Sequence, residues 1–558
     1  AYSAAIDKDG NIYVTGKTTS DDFPTTSGAY DTSFNDESSN DDVFVSRFNG
    51  DLTTLLASTY LGGGSEDIAH SVTIDKDGNI YVTGVTGSSD FPTTLGAYDT
   101  SYSGGAYGYL RGYDEDVFVS RFNGDLTKLL ASTYLEGNTT PYPLESGSWD
   151  CAYSIAIDKD GNIYVAGETN SVDFPTTPGA YDTSFNTGEY TNYDAFVSKF
   201  NEDLTKLLAS TYLGGTDSDE AYSVAIDRDG NIYVAGGTRS DDFPTTSGAY
   251  DTSYSAAGDV FVSKFNGDLT TLLASTYLGG IYSENAESAA MDKDGNIYVT
   301  GYTISSDFPM TPGAYDTSFN GGLGDVFMSR FSGDLTSLLA STFLGGDNDD
   351  EAHFVVIDKD GNIYVVGETE SDDFPTTFPD AYDLSYSDGD DVFVSRLNGD
   401  LTKLLASTYL GGTGNDEAHS VAIDKDGNIY LAGYTTTSYF PTTSGAYDTS
   451  FNGGGDVFVL KLDANLSYAS ATPTPTVTTT PTPTPSCSND GDVNEDGKLT
   501  AKDALLAFEY VLGKTTLTSC QQSHADVNGN GKVTAADALC IFKAVLNGSS
   551  PSETLSWE

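Results

Sequence analysis

The chain writes one phrase seven times. Near-copies of "IDKDGNIYVTG" place a turn glycine at Gly10, Gly78, Gly161, Gly230, Gly295, Gly361 and Gly427, spaced 68, 83, 69, 65, 66 and 66 residues apart. Such a period constrains the fold more than any other feature, because one unit cannot bury its apolar face alone and must stack on its neighbours. Each unit carries four segments in fixed order; in the first they are "SAAID", "NIYVTGKT", "DVFVSRF" and "LLASTYLGG". All are short, rich in Val, Ile, Tyr, Phe and Thr, and bounded by Gly, Asp, Asn or Pro, which is how strands read. "DKDGN" joins the first two as an Asp-Gly hairpin, and "NGDLT" joins the third and fourth. No unit shows a helical period. Seven copies of a four-stranded antiparallel unit predict an all-β, seven-bladed β-propeller over residues 1–470.

"STYLGG", "SVAIDKDGNIYVTG" and "DFPTT" resemble the SBBP family of propeller repeats across about residues 1–470. The resemblance implies the fold and a cell-surface or secreted location. It implies no single activity, since propellers host many functions.

With the strands lettered A to D from the axis outward, the A–B and C–D turns fall on one face. The B–C and D–A loops, "FPTTSGAYDTS" and "GGTDSDEAYS", are expected on the other. Two large departures from the repeat also fall there. "SYSGGAYGYLRGYDED" carries Tyr107, Tyr109, Arg111 and Tyr113; "LEGNTTPYPLESGSWDC" carries Tyr142, Trp149 and Cys151. Aromatics with Arg on scaffolded loops favour contact surfaces, so these six aromatic and Arg residues are expected to form one partner-binding patch. Just before each strand A stand Tyr2, His70, Tyr153, Tyr222, Glu287, His353 and His419, which should ring the mouth of the central channel. Three His and a Glu suit a transition metal or acid–base chemistry, but their spacing around the ring is not a tight ligand cluster. A polar ring that hydrogen-bonds the D–A loops is the plainer reading. "DKDGN" offers Asp7, Asp9 and Asn11 like the start of a calcium loop. A strand follows at once, so it reads as a hairpin turn.

The formal charge is −58, from 83 acidic against 25 basic residues. A surface of that sign repels nucleic acid and anionic membranes and attracts divalent cations. No run of 18 apolar residues is present to span a membrane. The sequence opens inside a repeat, at "AYSAAID", and is expected to be a processed form or one given without its natural start.

After the seventh repeat the composition changes. Residues 471–486 form a Pro/Thr tract, expected as an extended linker open to O-glycosylation; Asn138, Asn465 and Asn547 open N-x-S/T sequons. Then two twelve-residue loops appear, "DVNEDGKLTAKD" and "DVNGNGKVTAAD". Calcium takes six to eight hard oxygens, supplied in such loops from positions 1, 3, 5, 7, 9 and 12 around a Gly at 6. The first loop offers Asp492, Asn494, Asp496, the Lys498 carbonyl, Thr500 and Asp503. The second offers Asp526, Asn528, Asn530, the Lys532 carbonyl, Thr534 and Asp537. We therefore expect two calcium ions, and we expect chelation to unfold this small module while sparing the propeller.

An apolar helix follows each loop, and the duplicated loop–helix unit, residues 487–550, resembles a type I dockerin; residues 551–558 are a tail. The resemblance implies calcium-dependent docking onto a cohesin-like domain in an assembly outside the cell. Family recognition uses polar residues at loop positions 10 and 11. Here those are Ala501 and Lys502, and Ala535 and Ala536, a departure that points to an unusual cohesin or a different surface. Four Cys suggest pairing in a secreted chain. Cys520 and Cys540 flank the second loop as a candidate disulfide, leaving Cys487 and Cys151 to bridge module and propeller or to stay free.

Three functions fit. The first is a non-enzymatic extracellular scaffold or binding protein attached through its dockerin-like module, with glycans among its candidate ligands. The second is a filament or surface-layer subunit whose partner is a neighbouring copy. The third is a polysaccharide-active enzyme, against which stands the lack of paired carboxylates distinct from the repeat and of any nucleophile motif.

Overall fold

A computed structural model describes residues 1–35, 40–103, 115–138, 148–186, 188, 192–255, 257–377, 381–466, 492–494, 499–512, 514–517, 519–527 and 532–547. The chain divides into two compact units, Ala1–Ser470 and Ala471–Glu558.

The first unit is a seven-bladed propeller. Its first sheet runs in chain order through Ser3–Ile6, Ile12–Thr18, Asp42–Phe48 and Leu55–Leu61, all antiparallel. Five more sheets repeat this order with four strands each. Among the described residues the seventh has three strands, Asp416–Ile423, Ile429–Thr435 and Asp456–Leu462. The position of its fourth, where the repeat has "LLASTYLGG" and this copy reads "ASATPTPTV", lies outside the described residues.

The core lies between blades. Tyr13, Val43, Val45 and Leu61 of the first sheet pack on Ala69, Ile80, Val82 and Phe118 of the second. Ile12, Val14 and Phe44 pack on Tyr430 and Ala432 of the seventh, closing the circle. The middle strands are thus buried on both faces, which is why they read as continuous apolar runs rather than as an alternating pattern.

Polar contacts repeat around the ring. The Tyr13 hydroxyl donates to the Gly124 carbonyl of the next blade's turn at 2.6 Å, and Tyr430 donates to Gly50 at 2.8 Å across the seventh-to-first junction. A cation lies over the equivalent tyrosine in every blade (Tyr13, Tyr81, Tyr164, Tyr233, Tyr298, Tyr364 and Tyr430), from Arg47 over Tyr13 at 5.3 Å to Lys461 over Tyr430 at 5.1 Å. Such pairs contribute about 0.5–2 kcal/mol each.

The long loops do not stay on one face. Thr26 N–H donates to the Ser58 carbonyl (3.0 Å) and Tyr60 N–H to the Asp31 carbonyl (3.2 Å), so "FPTTSGAYDTS" runs down the outer strand. Tyr30 N–H then reaches the Leu126 carbonyl in the C–D turn of the next blade (2.9 Å). These straps cover strand edges that would otherwise present unpaired amides. Tyr447 N–H to Leu52 O, 2.9 Å, completes the belt.

The second unit contains α1 (Ala501–Val511), α2 (Ser519–Ala525) and α3 (Ala535–Asn547). Val493, Ala504, Ala507, Leu517, Ala525, Val527, Ala538 and Ile541 form its core. Leu505 and Leu539, at equivalent places in the duplicate, remain exposed.

Candidate functional site: the channel mouth and the paired calcium loops

The seven ring residues lie on the propeller axis, but six of them do not precede strand A. They sit inside it, at a β-bulge. In the second blade Ala69 pairs with Gly84 and Ser71 with Thr83, so His70 is the extra residue; the third to seventh blades bulge alike. A bulge re-aims a side chain and crowds the facing strand. This explains the glycine of "YVTG". A Cβ on Gly84 would stand 1.9 Å from the Ile68 carbonyl oxygen, and one on Gly367 1.9 Å from that of Glu351.

The ring closes on itself. Ring centroids separate Tyr2 from His70 by 5.6 Å, His70 from Tyr153 by 5.4 Å, Tyr153 from Tyr222 by 4.8 Å, His353 from His419 by 4.9 Å, and His419 from Tyr2 by 5.2 Å. Glu287 completes the circle electrostatically between Tyr222 and His353.

Above it stands an acidic tier. Glu168 accepts from the Trp149 indole N–H at 3.0 Å and from the Tyr153 hydroxyl at 2.8 Å. Glu220 accepts from Tyr222, and Glu417 from Tyr434. Glu368 lies 3.5 Å from His353 Nε2, and Glu417 lies 3.5 Å from His419 Nε2. Burial pushes Glu168, Glu287 and Glu417 up to about 7. For His353 burial works downward, but Glu368, Glu287 and Glu351 outweigh it and raise the imidazole. His70 has no such carboxylate, and burial lowers it to about 4. The mouth therefore holds groups that exchange protons near neutrality, set among tyrosines and an indole.

Sequence reasoning missed the tier. Its members, with Lys17 and Tyr302, occupy one position on each of strands A and B that face one another, as Glu351 faces Glu368 and Glu417 faces Tyr434. The signal was the variation itself: these positions change from copy to copy inside otherwise repeated strands.

Of the proposed contact patch, Tyr107, Tyr109, Arg111, Tyr113 and Tyr142 lie outside the described residues. Trp149 is half-buried and bound to Glu168, at the edge of the channel mouth. Cys151 is a buried free thiol within the strand Asp150–Ile157 rather than a loop residue. Cys487 and the side chains of Cys520 and Cys540 lie outside the described residues. "DKDGN" closes as a turn: Asp7 Oδ1 accepts from the N–H groups of Asp9 and Asn11, both at 2.9 Å. Asp75, Asp77 and Glu202 gather on the turn face, where Arg121 pairs with Glu202 at 2.9 Å and Asp75 at 3.7 Å.

In the second unit Thr500 caps α1. Asp503 Oδ2 accepts from the Thr500 N–H (2.8 Å) and hydroxyl (3.0 Å), while Oδ1 accepts from the Asn494 N–H at 3.1 Å. Loop position 12 is thereby drawn back to position 3. Thr534 and Asp537 repeat the arrangement at 2.9 and 2.7 Å. Asp503 and Asp537 are fully buried, and Asp526 nearly so. Asp496, Lys498, Asn528 and Asn530 lie outside the described residues. A buried carboxylate turned into an all-oxygen loop suits calcium, and Asp492, Asn494, Thr500, Asp503, Asp526, Lys532, Thr534 and Asp537 are the described residues that would hold it. Ala501, Lys502 and Ala535 are exposed on the first turns of α1 and α3; Ala536 lies in α3, its side chain outside the described residues.

Fold and site together define a propeller protein with an appended calcium-loop module. The chain matches the Beta-propeller repeat (SBBP) at residues 1–24, 58–92, 150–175, 210–244, 275–309, 341–375 and 407–441, and the Dockerin type I domain at 490–546. It is an SBBP-repeat propeller protein carrying a type I dockerin. Domains of that second family bind calcium and cohesin partners and are typical of extracellular assemblies. The chain is also 26% identical over 288 residues to Regulatory protein FlaEY of Caulobacter vibrioides, 47% of this chain and 28% of that protein. Among solved structures, polysaccharide lyase Uly1 aligns over 83% of this chain and 89% of its own at 11% identity, with a TM-score of 0.41. The acylaminoacyl peptidase of Pyrococcus horikoshii aligns over 83% and 52% at 11% identity, with a TM-score of 0.37. Both likenesses are too distant to bear on activity. No helix among the described residues is long and apolar enough to cross a membrane.

Proposed function

We propose that this chain is a non-enzymatic extracellular binding and scaffold protein. Its dockerin, loaded with two calcium ions, carries the propeller into a surface assembly. The observation that supports this reading is the duplicated cap geometry: Asp503 accepts from Thr500 and Asp537 from Thr534 at the starts of α1 and α3, with Ala501, Lys502, Leu505, Ala535 and Leu539 exposed around them. An apolar surface edged by a single Lys, rather than by Ser-Thr pairs, suits a cohesin-like domain with an apolar, acidic-edged face. Calorimetric titration against a panel of cohesin domains tests it. Binding should need calcium and weaken with Lys502→Glu or Leu505→Asp; binding that survives EDTA, or ignores both substitutions, refutes it.

Two other readings each have an observation behind them. The seventh sheet's outer strand, Asp456–Leu462, pairs only with Ile429–Thr435 among the described residues, and its burial is lower than that of its counterparts. A less buried outer strand favours head-to-tail assembly through a neighbouring copy; electron microscopy in calcium and after EDTA distinguishes filaments from single discs. The carboxyls of the channel mouth favour an enzyme acting on polysaccharides; Glu368→Gln with His353→Gln would abolish turnover of any substrate found.

A further inference from the structure

Six carboxylates crowd the channel mouth, and few donors serve them. Four take hydrogen bonds at one oxygen each, all from neutral groups: Glu168 Oε1 from Trp149 and Tyr153, Glu220 Oε2 from Tyr222, Glu287 Oε1 from Asn285 Nδ2 at 2.8 Å, and Glu417 Oε1 from Tyr434. Glu368 Oε2 is buried and accepts no hydrogen bond, 3.5 Å from His353 Nε2. Asn285 Oδ1 is buried and unserved as well. No side chain stands over it: a Cβ on Gly237, the residue paired with Glu220, would lie 2.5 Å from that oxygen. Among the described residues no Lys or Arg forms an ion pair with any of the six. Lys17, on the first blade, is held by Asp41 at 2.8 Å. Buried acceptors without donors are costly, so the mouth lacks a positively charged donor of its own.

The surroundings say what kind of cation fits. Among the described residues, the carboxylate oxygens that converge as a metal ion requires belong to Asp75, Asp77 and Glu202 on the turn face; those of the mouth are spread around a ring. That ring is largely aromatic. Tyr2, His70, Tyr153 and Tyr222 follow one another at 4.8–5.6 Å, and Tyr434 stacks on His419 at 5.9 Å. All seven ring residues keep part of their surface accessible. In the second blade the tier is apolar, with Ile68 facing Val85. Scattered acceptors, aromatic faces and an apolar flank suit a cation that brings its own N–H donors on an alkyl stem.

We propose that the channel mouth binds a primary alkylammonium group, held by Glu220, Glu351, Glu368 and Glu417 against the aromatic arc of the ring. An ammonium turns three donors toward oxygens on different residues, whereas a planar guanidinium wants both oxygens of one carboxylate. The group ends a free diamine and a Lys side chain alike. The site rests on the reading of the propeller as a binding module; cohesin titration tests the dockerin alone, so either can fail without the other.

The test is calorimetric titration of the calcium-loaded full chain at pH 8, where an alkylammonium is charged and Glu417, raised by burial to about 7, is ionised. The probes are 1,5-diaminopentane, a capped pentapeptide with one central Lys, and the same peptide acetylated on that Lys. Saturable binding of the diamine assigns a free amine; binding of the Lys peptide alone assigns a Lys of a partner. Glu351→Gln with Glu368→Gln should weaken the binding about tenfold or more. Asp9→Asn with Asp77→Asn removes the same charge from exposed positions of the turn face and should change it less than about twofold. No binding of either cation at about 1 mM overturns the proposal. So does an acetylated peptide that binds as well as its parent, or an equal loss in both double variants, which would be general attraction to a chain of charge −58. Should the Gln variant fail to fold, the parent chain decides: the imidazole NMR signals of His353 and His419 should shift with the cation that binds, and unmoved signals overturn the proposal.

Discussion

The bulge that turns six of the seven ring residues onto the axis exists because the facing residue lacks a Cβ, so Gly367→Ala should be costly out of proportion to its size. The added carbon would start 1.9 Å from the Glu351 carbonyl oxygen and 2.9 Å from Ala352 Cα, both backbone atoms. An ordinary C···O approach is roughly 3.3 Å. The strand must therefore retreat by more than an ångström, or the bulge must open and release His353. Forced overpacking costs about 3 kcal/mol. Unfolding entropy of about 2.1 cal/mol/K per residue, summed over a propeller of this length, makes that about 3 °C in Tm. Gly361→Ala is the control. It sits six residues earlier in the same repeat at φ +84° with nothing within 4 Å, so only the left-handed backbone is at stake. That costs about 1–2 kcal/mol, or about 1–2 °C. Calorimetry of the two variants measures the difference. NMR titration of His353 supplies a second readout: its raised pKa depends on Glu368, Glu287 and Glu351 and should fall in Gly367→Ala alone. Equal Tm shifts with an unmoved His353 titration would mean that the close approach does not hold the bulge.

Three further outcomes follow from the same geometry. Tyr430→Phe removes the hydroxyl that donates to Gly50 across the last junction and should destabilise the propeller by about 1 kcal/mol in urea unfolding, without dependence on salt; no change would show that the junction closes by packing alone. The buried interblade carboxyls give a pH dependence of definite sign. Asp219, Asp325, Asp350 and Asp391 are raised to about 7 by burial, so their contribution is complete below about 4 and is lost as pH rises through about 7. Asp7, Asp292 and Asp424 act oppositely: burial alone would raise them, but hydrogen bonds from Asn11, Asn296 and Asn428 outweigh it, so they lose stability below their ordinary range. In calcium-free buffer Tm should be higher at pH 5 than at pH 8, and a Tm that climbs with pH would contradict these buried carboxyls. EDTA added to the full chain should remove ellipticity at 222 nm, since the described helices belong to the calcium-loop module, and leave the β signal intact. Unchanged ellipticity would disconnect calcium from folding in that module.

The repeat, the strand phrases, both hairpin turns and the two calcium loops were legible in the linear text because each is a local device. "DKDGN" closes on itself through Asp7, and Thr500 meets Asp503 three residues on. Everything that joins one blade to the next was decided by the tertiary structure. Tyr13 finds Gly124 across 111 residues, and Tyr30 finds the turn at Leu126 by running down the rim rather than over the face where loop length alone would put it. His70 and its counterparts reach the axis only through a bulge, which the alternating pattern of a strand cannot display. Glu168, Glu351, Glu368 and Glu417 looked like scatter within a repeat until seven-fold closure brought their strand positions to one mouth. Local hydrogen-bonding and turn chemistry act over a few residues and are written in order. Burial and charge pairing act through space, and space here is set by how seven copies close around one axis.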